Sequence, residues 1–378
     1  MGIQRGHHAH PFEWLAEKFI FLVSLTAIIM VFLIFAFVTR EAMPLLLGQM
    51  NSAARQSVIP VADMDKTLPE KLRVYLGLTS DQFAAMDHDT KQLLMETKVE
   101  ADQEAPTDRD AAVNTTGWRY LFRAYQWSGY DRPVYIWQPV SDIQKYNIVP
   151  LIVGSIKATL VALLFAVPLS LAAAIYVSQL SRPRLKEIIK PAIEMLSGIP
   201  SVVVGFFALI VMATVMQKVF GYESRLNTFV AGIALGFAII PVVFSIAEDS
   251  LTSVPRSYTQ AALALGASRW QAAWQVVLPA AIPGVFAAIV LGFGRAMGET
   301  MIVLLASGNA SIMSWNIFDS ARTITATIAA EMGEAVDGGS HYRILFLIGA
   351  MLFVVTFFSN MAAALVMDRL KKRLEGKS

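Results

Sequence analysis

Gln260 to Pro279 reads QAALALGASRWQAAWQVVLP, a polar-faced interruption between two long apolar segments. Neither half is long or apolar enough to cross a bilayer, so both read as short helices outside the hydrocarbon. Ser257 and Gln260 form S-x-x-Q, a capping box in which each side chain satisfies a backbone N–H at a helix start. The expected helix runs from about Tyr258 to Leu265, and Gly266 suits the left-handed stop after it. Ser268 and Gln271 make a second S-x-x-Q box and open another helix almost at once. On it Trp270, Trp274 and Val277 fall at i, i+4 and i+7, one apolar stripe. Pro279 is expected to end the element. The product is helix, glycine, helix with an aromatic face, built either to meet a soluble partner or to rest in lipid headgroups.

The flanking chain is that of a membrane protein. It has 378 residues, 55% hydrophobic, and a mean hydropathy of +0.53. A net charge of +2 offers no bulk attraction for nucleic acid, and the absence of cysteine excludes disulfides and thiolate metal sites. Phe19–Thr39 is the first uncharged run of spanning length, too long for a signal peptide and without its small-residue cleavage site, so residues 19–39 read as a retained anchor. Further spans are expected at about Val149–Ser178, Ala192–Gln217, Asn227–Ala247, Ala280–Ser307 and Ile344–Met367. Six spans put both termini on one side. Arg182, Arg184, Lys186 and Lys190 between spans two and three, and Arg369, Lys371, Lys372, Arg373 and Lys377 in the tail, make that side cytoplasmic together with the Gln260 loop.

The expected plan is thus a cytoplasmic tail over residues 1–18, the anchor, an extracytoplasmic insertion over 40–147, five further spans over 148–367 and a basic cytoplasmic tail over 368–378. The helix–glycine–helix loop occupies about 252–279. In the insertion, Thr79 and Gln82 form another capping box before a helix through about Lys98. Trp118–Trp137 (WRYLFRAYQWSGYDRPVYIW) reads either as a small domain's own aromatic core or as a platform for an outer partner or lipid headgroups.

Span five contains GFGRAMGETM, which places Arg295 and Glu299 inside an apolar helix on one face. They read either as an intrahelical ion pair that hides both charges or as contacts on a path for anions, since the planar fork of arginine suits an oxyanion. Gly294 and Gly298 form G-x-x-x-G, which allows close helix packing. RTITATIAAEMGEA (Arg322–Ala335), with Arg322 and Glu331, reads as a short helix near the outer face, lining an entrance or simply solvated. Lys157 can snorkel to the outer interface and Glu194 can sit among cytoplasmic headgroups. Pro168, Pro200, Pro241 and Pro283 punctuate the spans, as in transporters and static bundles alike. Gly376-Lys377-Ser378 lacks the earlier glycine of a phosphate-binding loop, so no ATP site is expected; His7, His8 and His10 read as a tail rather than a metal site.

The spacing from Gln260 resembles the EAA loop of ATP-binding-cassette (ABC) importer permeases: E-A-A, three residues, Gly, nine residues, then Ile-x-Leu-Pro. Ala261, Ala262, Gly266, Leu278 and Pro279 match, Val276 takes the Ile position and Gln260 replaces Glu. The segments GRAMGETMIVLLASGN (Gly294–Asn309), LSGIPSVVVGFFA (Leu196–Ala208) and HYRILFLIGAMLFVVTF (His341–Phe357) are similar to phosphate-specific members, and more to the PstC type than to the PstA type. The resemblance covers about Ile148 to the C-terminus. It implies a type I importer fold: an all-α polytopic protein of six transmembrane helices, here with an inserted domain. It implies a bacterial inner-membrane permease for inorganic phosphate, without cofactor or ATP site of its own. Its partners would be a second, PstA-type permease, a PstB-type ATPase dimer, a PstS-type periplasmic binding protein and membrane lipid. Gln260, Ala261, Ala262, Gly266, Trp270, Trp274, Leu278 and Pro279 would dock the ATPase; Arg295, Glu299, Thr300 and Arg322 would line the substrate path. A permease for sulfate or molybdate, and a channel or carrier that needs no ATPase, stay open as alternatives.

Overall fold

The computed structural model describes residues 11–50, 69–76, 80–104, 110, 113–141 and 143–374. Six helices among them are long and apolar enough to span a bilayer, in the all-α arrangement expected. The tail histidines and the last four residues lie outside the described residues.

The first span, α1 (Pro11–Leu46), runs past its expected end at Thr39 and carries Arg40 and Glu41 in its closing turns. A separate compact unit follows, Gly48–Pro150. It holds α2 (Pro69–Leu76), α3 (Ser80–Ala85), α4 (His88–Glu104) and α5 (Trp118–Phe122), with a short antiparallel pair, β1 (Trp137–Gln138) and β2 (Lys145–Tyr146). The single helix expected through Lys98 is instead broken at Met86–Asp87. There the Thr90 hydroxyl donates to the Asp87 carboxylate and restarts the chain as α4. Thr79 lies outside the described residues. The aromatic stretch packs on itself: Tyr125 meets Tyr120 and Trp127 edge-on at 5.2 and 4.7 Å, and Trp137 meets Tyr146 at 5.9 Å. Trp127, Trp137 and Tyr146 are buried, which favours a domain core over a platform, although Trp118 and Tyr130 remain exposed.

The other unit contains α1 together with the remaining spans. α6 (Val149–Ile175) continues through a π turn at Tyr176–Leu180. α7 (Pro183–Met195) comes next, then a 3-10 turn at Leu196–Gly198. The third span is α8 (Ser201–Phe207), a π turn at Ala208–Met212 and α9 (Ala213–Phe220). It does not begin at Ala192. Gly198 and Pro200 interrupt the chain, and the extended Pro200 (φ −57°, ψ 135°) starts a new helix at Ser201, leaving Glu194 on the earlier α7.

α10 (Thr228–Thr252) is the most buried span. Asn227 caps it, its Oδ1 accepting from the Val230 N–H at 3.0 Å. Small residues let neighbours approach closely: a Cβ on Gly236 would lie 2.6 Å from Phe165 of α6, and one on Gly292 would lie 2.7 Å from Val243. Beyond α10 come α11 (Arg256–Ala264) and α12 (Arg269–Ala272), a π turn at Ala273–Val277 and α13 (Leu278–Gly298). Together Arg269–Gly298 form the fifth span. The chain closes with α14 (Met301–Ala306), α15 (Ile324–Glu331) and α16 (Ser340–Leu374), which meets α1 through stacked Phe35 and Phe353.

Candidate translocation site and coupling loop

The fifth span stops at Gly298 and does not run on to Ser307 as its composition suggests. Glu299 is extended (φ −71°, ψ 134°), and a separate short helix begins at Met301. Arg295 therefore sits in the last turn of α13 and Glu299 just beyond it, rather than one turn apart on an unbroken face. The break is held by side chains: the Thr325 hydroxyl donates to the Glu299 carbonyl at 2.8 Å. Gly205 lets α14 tuck closely against α8, since a Cβ there would lie 3.1 Å from Met301 O and Ile302 Cα, tighter than side chains ordinarily pack.

Two interrupted spans face each other across this point. A cavity of about 180 Å³ is lined by Leu196, Ser197, Ile199, Ser201, Val204, Phe237, Ala238, Arg295 and Glu299. Arg295 is exposed and Glu299 half-exposed, and among the described residues no ion pair joins them. The intrahelical pair is thus not formed, because the chain turns away between the two charges. Leu196, Ser197 and Ser201 were not singled out from sequence. Their signal was the Gly198–Pro200 break, which lays the start of α8 beside the end of α13.

Thr300 adjoins this cavity without lining it; its hydroxyl reaches the Gly298 carbonyl at 3.4 Å. Arg322 lies elsewhere. Its Nε donates to Asn309 Oδ1 at 3.1 Å and its Nη1 pairs with Glu331, which also lies 3.4 Å from His341 Nε2. The helix after it starts at Ile324, capped by Thr323, and buries Ile324, Ala326 and Thr327, so it is no solvated helix. Lys157 does not snorkel. It is 3% exposed and donates to the carbonyls of Ser314 and Asn316 at 3.0 and 2.9 Å, pinning that loop to α6. Of the G-x-x-x-G pair, Gly294 makes room for Asn360 of α16, whereas Gly298 faces open space.

The loop between the fourth and fifth spans is helix, glycine, helix, with changes in detail. α11 begins at Arg256 behind Pro255, which places Ser257 within the first turn, so the Ser257–Gln260 box does not form. The pre-set φ of Pro255 starts the helix two residues early. At the other end Gly266 takes φ +88°; its N–H reaches Leu263 O at 3.0 Å, and Ala267 N–H reaches Ala262 O at 3.1 Å. This is a Schellman closure. The Ser268–Gln271 box forms as expected, at 3.2 and 2.8 Å. Pro279 does not end the element, since the π turn ahead of it absorbs the shift in hydrogen bonding that its missing N–H demands.

That same turn splits the expected stripe. Trp270 and Trp274 stack at 5.9 Å and stay more than half exposed, while Val277 is rotated inward and buried. Gln260, Ala261, Gly266 and Pro279 are exposed, Leu278 is half-buried and Ala262 buried. Leu265, not singled out from sequence, is 90% exposed at the tip, because the glycine turn leaves it no neighbour to pack against.

Residues 148–376 match the family of binding-protein-dependent transport system inner membrane components. The chain belongs to that family. It is 36% identical over 222 residues to the probable ABC transporter permease protein YqgH of Bacillus subtilis, covering 58% of this chain and 72% of that one. It is 33% identical to the phosphate transport system permease protein PstC of Xylella fastidiosa (63% and 78% covered) and to PstC of Pasteurella multocida (64% and 80%). The chain is a PstC-type ABC permease, a transport subunit among the components of an importer. Among solved structures, the inward-facing methionine transporter MetNI is 15% identical over 59% of this chain and 93% of its own, with a TM-score of 0.44.

Proposed function

We propose that this permease passes inorganic phosphate across the bacterial cytoplasmic membrane along a path through the Arg295–Glu299 cavity. The observation that carries the reading is the meeting of two interrupted spans around an arginine and a carboxylate that are not paired to each other. Charges at that depth are costly and persist where a cavity or ligand uses them. Phosphate is mono- or dianionic near neutral pH, and the guanidinium fork can hold two of its oxygens at once. The names of the PstC relatives support phosphate as the cargo.

In this reading both termini and the 253–268 loop are cytoplasmic, as the Arg and Lys bias of the connecting segments favours, and the Gly48–Pro150 unit is extracytoplasmic. A PstS-type binding protein delivers phosphate from outside. A PstA-type permease completes the path, and a PstB-type ATPase dimer hydrolyses ATP. Leu265, Trp270 and Trp274 present an apolar, aromatic surface to that ATPase. Closure of the ATPase then moves the loop, and the spans rock to open the cavity inward.

The test is Arg295→Ala in the complete importer reconstituted in vesicles. Phosphate uptake should fall to background while all subunits still co-purify. Uptake at the unsubstituted rate would sink the assignment. Labelled phosphate competed with sulfate and molybdate in the same vesicles checks the cargo, with neither anion expected to compete.

A further inference from the structure

α7 is held to the bundle at both ends, by different means. Near its start Lys186 Nζ donates to Glu248 Oε1 at 2.6 Å and to Thr252 Oγ1 at 3.3 Å. One turn on, Lys190 Nζ donates to Glu248 Oε2 and to Asp249 Oδ1, each at 2.7 Å. The Thr252 hydroxyl donates to Glu248 Oε1 at 2.7 Å. Lys186 and Lys190 stand four apart on one helix face, so they grip the two oxygens of one carboxylate. The Glu248 side chain is 1% exposed, while the lysines keep 33% and 28%. No residue of α7 itself is fully buried; Ile189 and Ile193 pack against the core, and this cluster adds its charged tie to α10.

The two ends of α7 touch different machinery. Glu248, Asp249 and Thr252 close α10, immediately before the loop that carries α11 and α12. At the other end Glu194 Oε1 accepts from Ser245 Oγ at 3.2 Å, and the next residues, Leu196 and Ser197, line the Arg295 cavity. A displacement at the root of the loop therefore has a short, charged route to the wall of the path.

We propose that Lys186, Lys190 and Glu248 form a joint through which movement of the 253–268 loop is carried along α7 to Leu196 and Ser197. They are positioning residues: they touch no substrate, but set whether ATP hydrolysis moves the cavity wall. The inference rests on the reading of that loop as the ATPase contact. A joint must resist sliding, and a carboxylate whose two oxygens are each held by a cation fixes one register of α7 against α10, which apolar contact does not.

The experiment uses the complete importer in vesicles, measuring ATP hydrolysis stimulated by loaded binding protein and phosphate imported per ATP. Glu248→Gln keeps the shape and removes the charge. The triple change Lys186→Met, Lys190→Met, Glu248→Gln removes the joint without leaving a buried charge unpaired. Both should hydrolyse ATP within about twofold of the unsubstituted importer while phosphate per ATP falls at least about tenfold. Lys190→Arg, which keeps the cation, should restore a near-normal ratio.

An unchanged ratio in the triple variant, or hydrolysis and import falling together, would overturn the joint. Loss of assembly in both variants would also overturn it, since the cluster would then serve folding alone. Failure of the underlying reading looks different: Trp270→Ala with Trp274→Ala would leave ATPase co-purification intact, whatever the Glu248 variants do.

Discussion

Gly236 and Lys157 show how much of this membrane bundle is decided by single side chains. Gly236 lies where a Cβ would meet Phe165 at 2.6 Å, with the Ala162 carbonyl behind it at 3.3 Å. Gly236→Val must displace the Phe165 ring or push α6 and α10 apart, and overpacking of this kind costs about 1–3 kcal/mol. The detergent-solubilised protein should unfold at a lower temperature, and an unmoved midpoint would contradict the packing described. Lys157 stabilises the 314–316 segment through two carbonyls. Lys157→Met keeps the volume but leaves both acceptors without that donor, a cost of about 1–3 kcal/mol for each one that water cannot reach. Faster hydrogen exchange at the Ser314–Asp319 segment is the expected signature. From sequence Lys157 looked like an interfacial lysine, because nothing in its neighbours along the chain announces two carbonyls from a loop some 160 residues later.

Among the elements, the loop from Arg256 to Val277 was legible in outline and misread at its joints. The glycine stop at Gly266 and the Ser268–Gln271 box depend on contacts within six residues, so their chemistry is local and shows in the sequence. The Ser257 box failed because Pro255, just upstream, won the competition for the helix start. Gly266→Val would force a β-branched residue to φ +88°, a strain of about 1–3 kcal/mol, although nothing blocks its Cβ. The expected result is loss of ATPase co-purification, or ATP hydrolysis no longer stimulated by loaded binding protein; normal behaviour on both counts would argue against the docking role. The double change Trp270→Ala, Trp274→Ala removes the exposed stacked pair and should weaken ATPase binding by at least about tenfold, as truncating an aromatic anchor does.

At the scale of the whole molecule, length and apolarity sufficed to count the spans, while the places where they break did not show. The third and fifth spans were each expected as continuous runs, because Leu196–Ala208 and Gly294–Ser307 are apolar on both sides of Pro200 and Glu299. The fifth is ended by a tertiary contact, Thr325 reaching back to the Glu299 carbonyl, whereas the third is broken locally at Gly198 and Pro200, where apolarity alone hid the stop. The candidate site lies at those two breaks, so Arg295 and Glu299 were found by charge, whereas Ser197 and Ser201 needed the fold. The Gly48–Pro150 unit encloses its own aromatic core. Expressed alone, it should show blue-shifted tryptophan emission from Trp127 and Trp137 and a cooperative thermal transition. A gradual, featureless melt would mean that this core is not self-sufficient.

The wide turn at Ala273–Val277 has a consequence for the clocking of the fifth span. Each residue of an α-helix advances the azimuth by about 100°. The i→i+5 pattern takes up one residue more than a regular turn, and so sets the bearing of the Trp270–Trp274 pair relative to Arg295, which lies farther along the same continuous rod. Deleting a single residue from this turn would let the rod close into an uninterrupted α-helix. Every chemical group at both ends would survive and the tryptophan face would keep nearly its present bearing to Arg295, whereas the same deletion in a regular stretch would swing it by roughly a quarter of a revolution. In the regular stretches of this span the importer should tolerate many substitutions and very few changes of length.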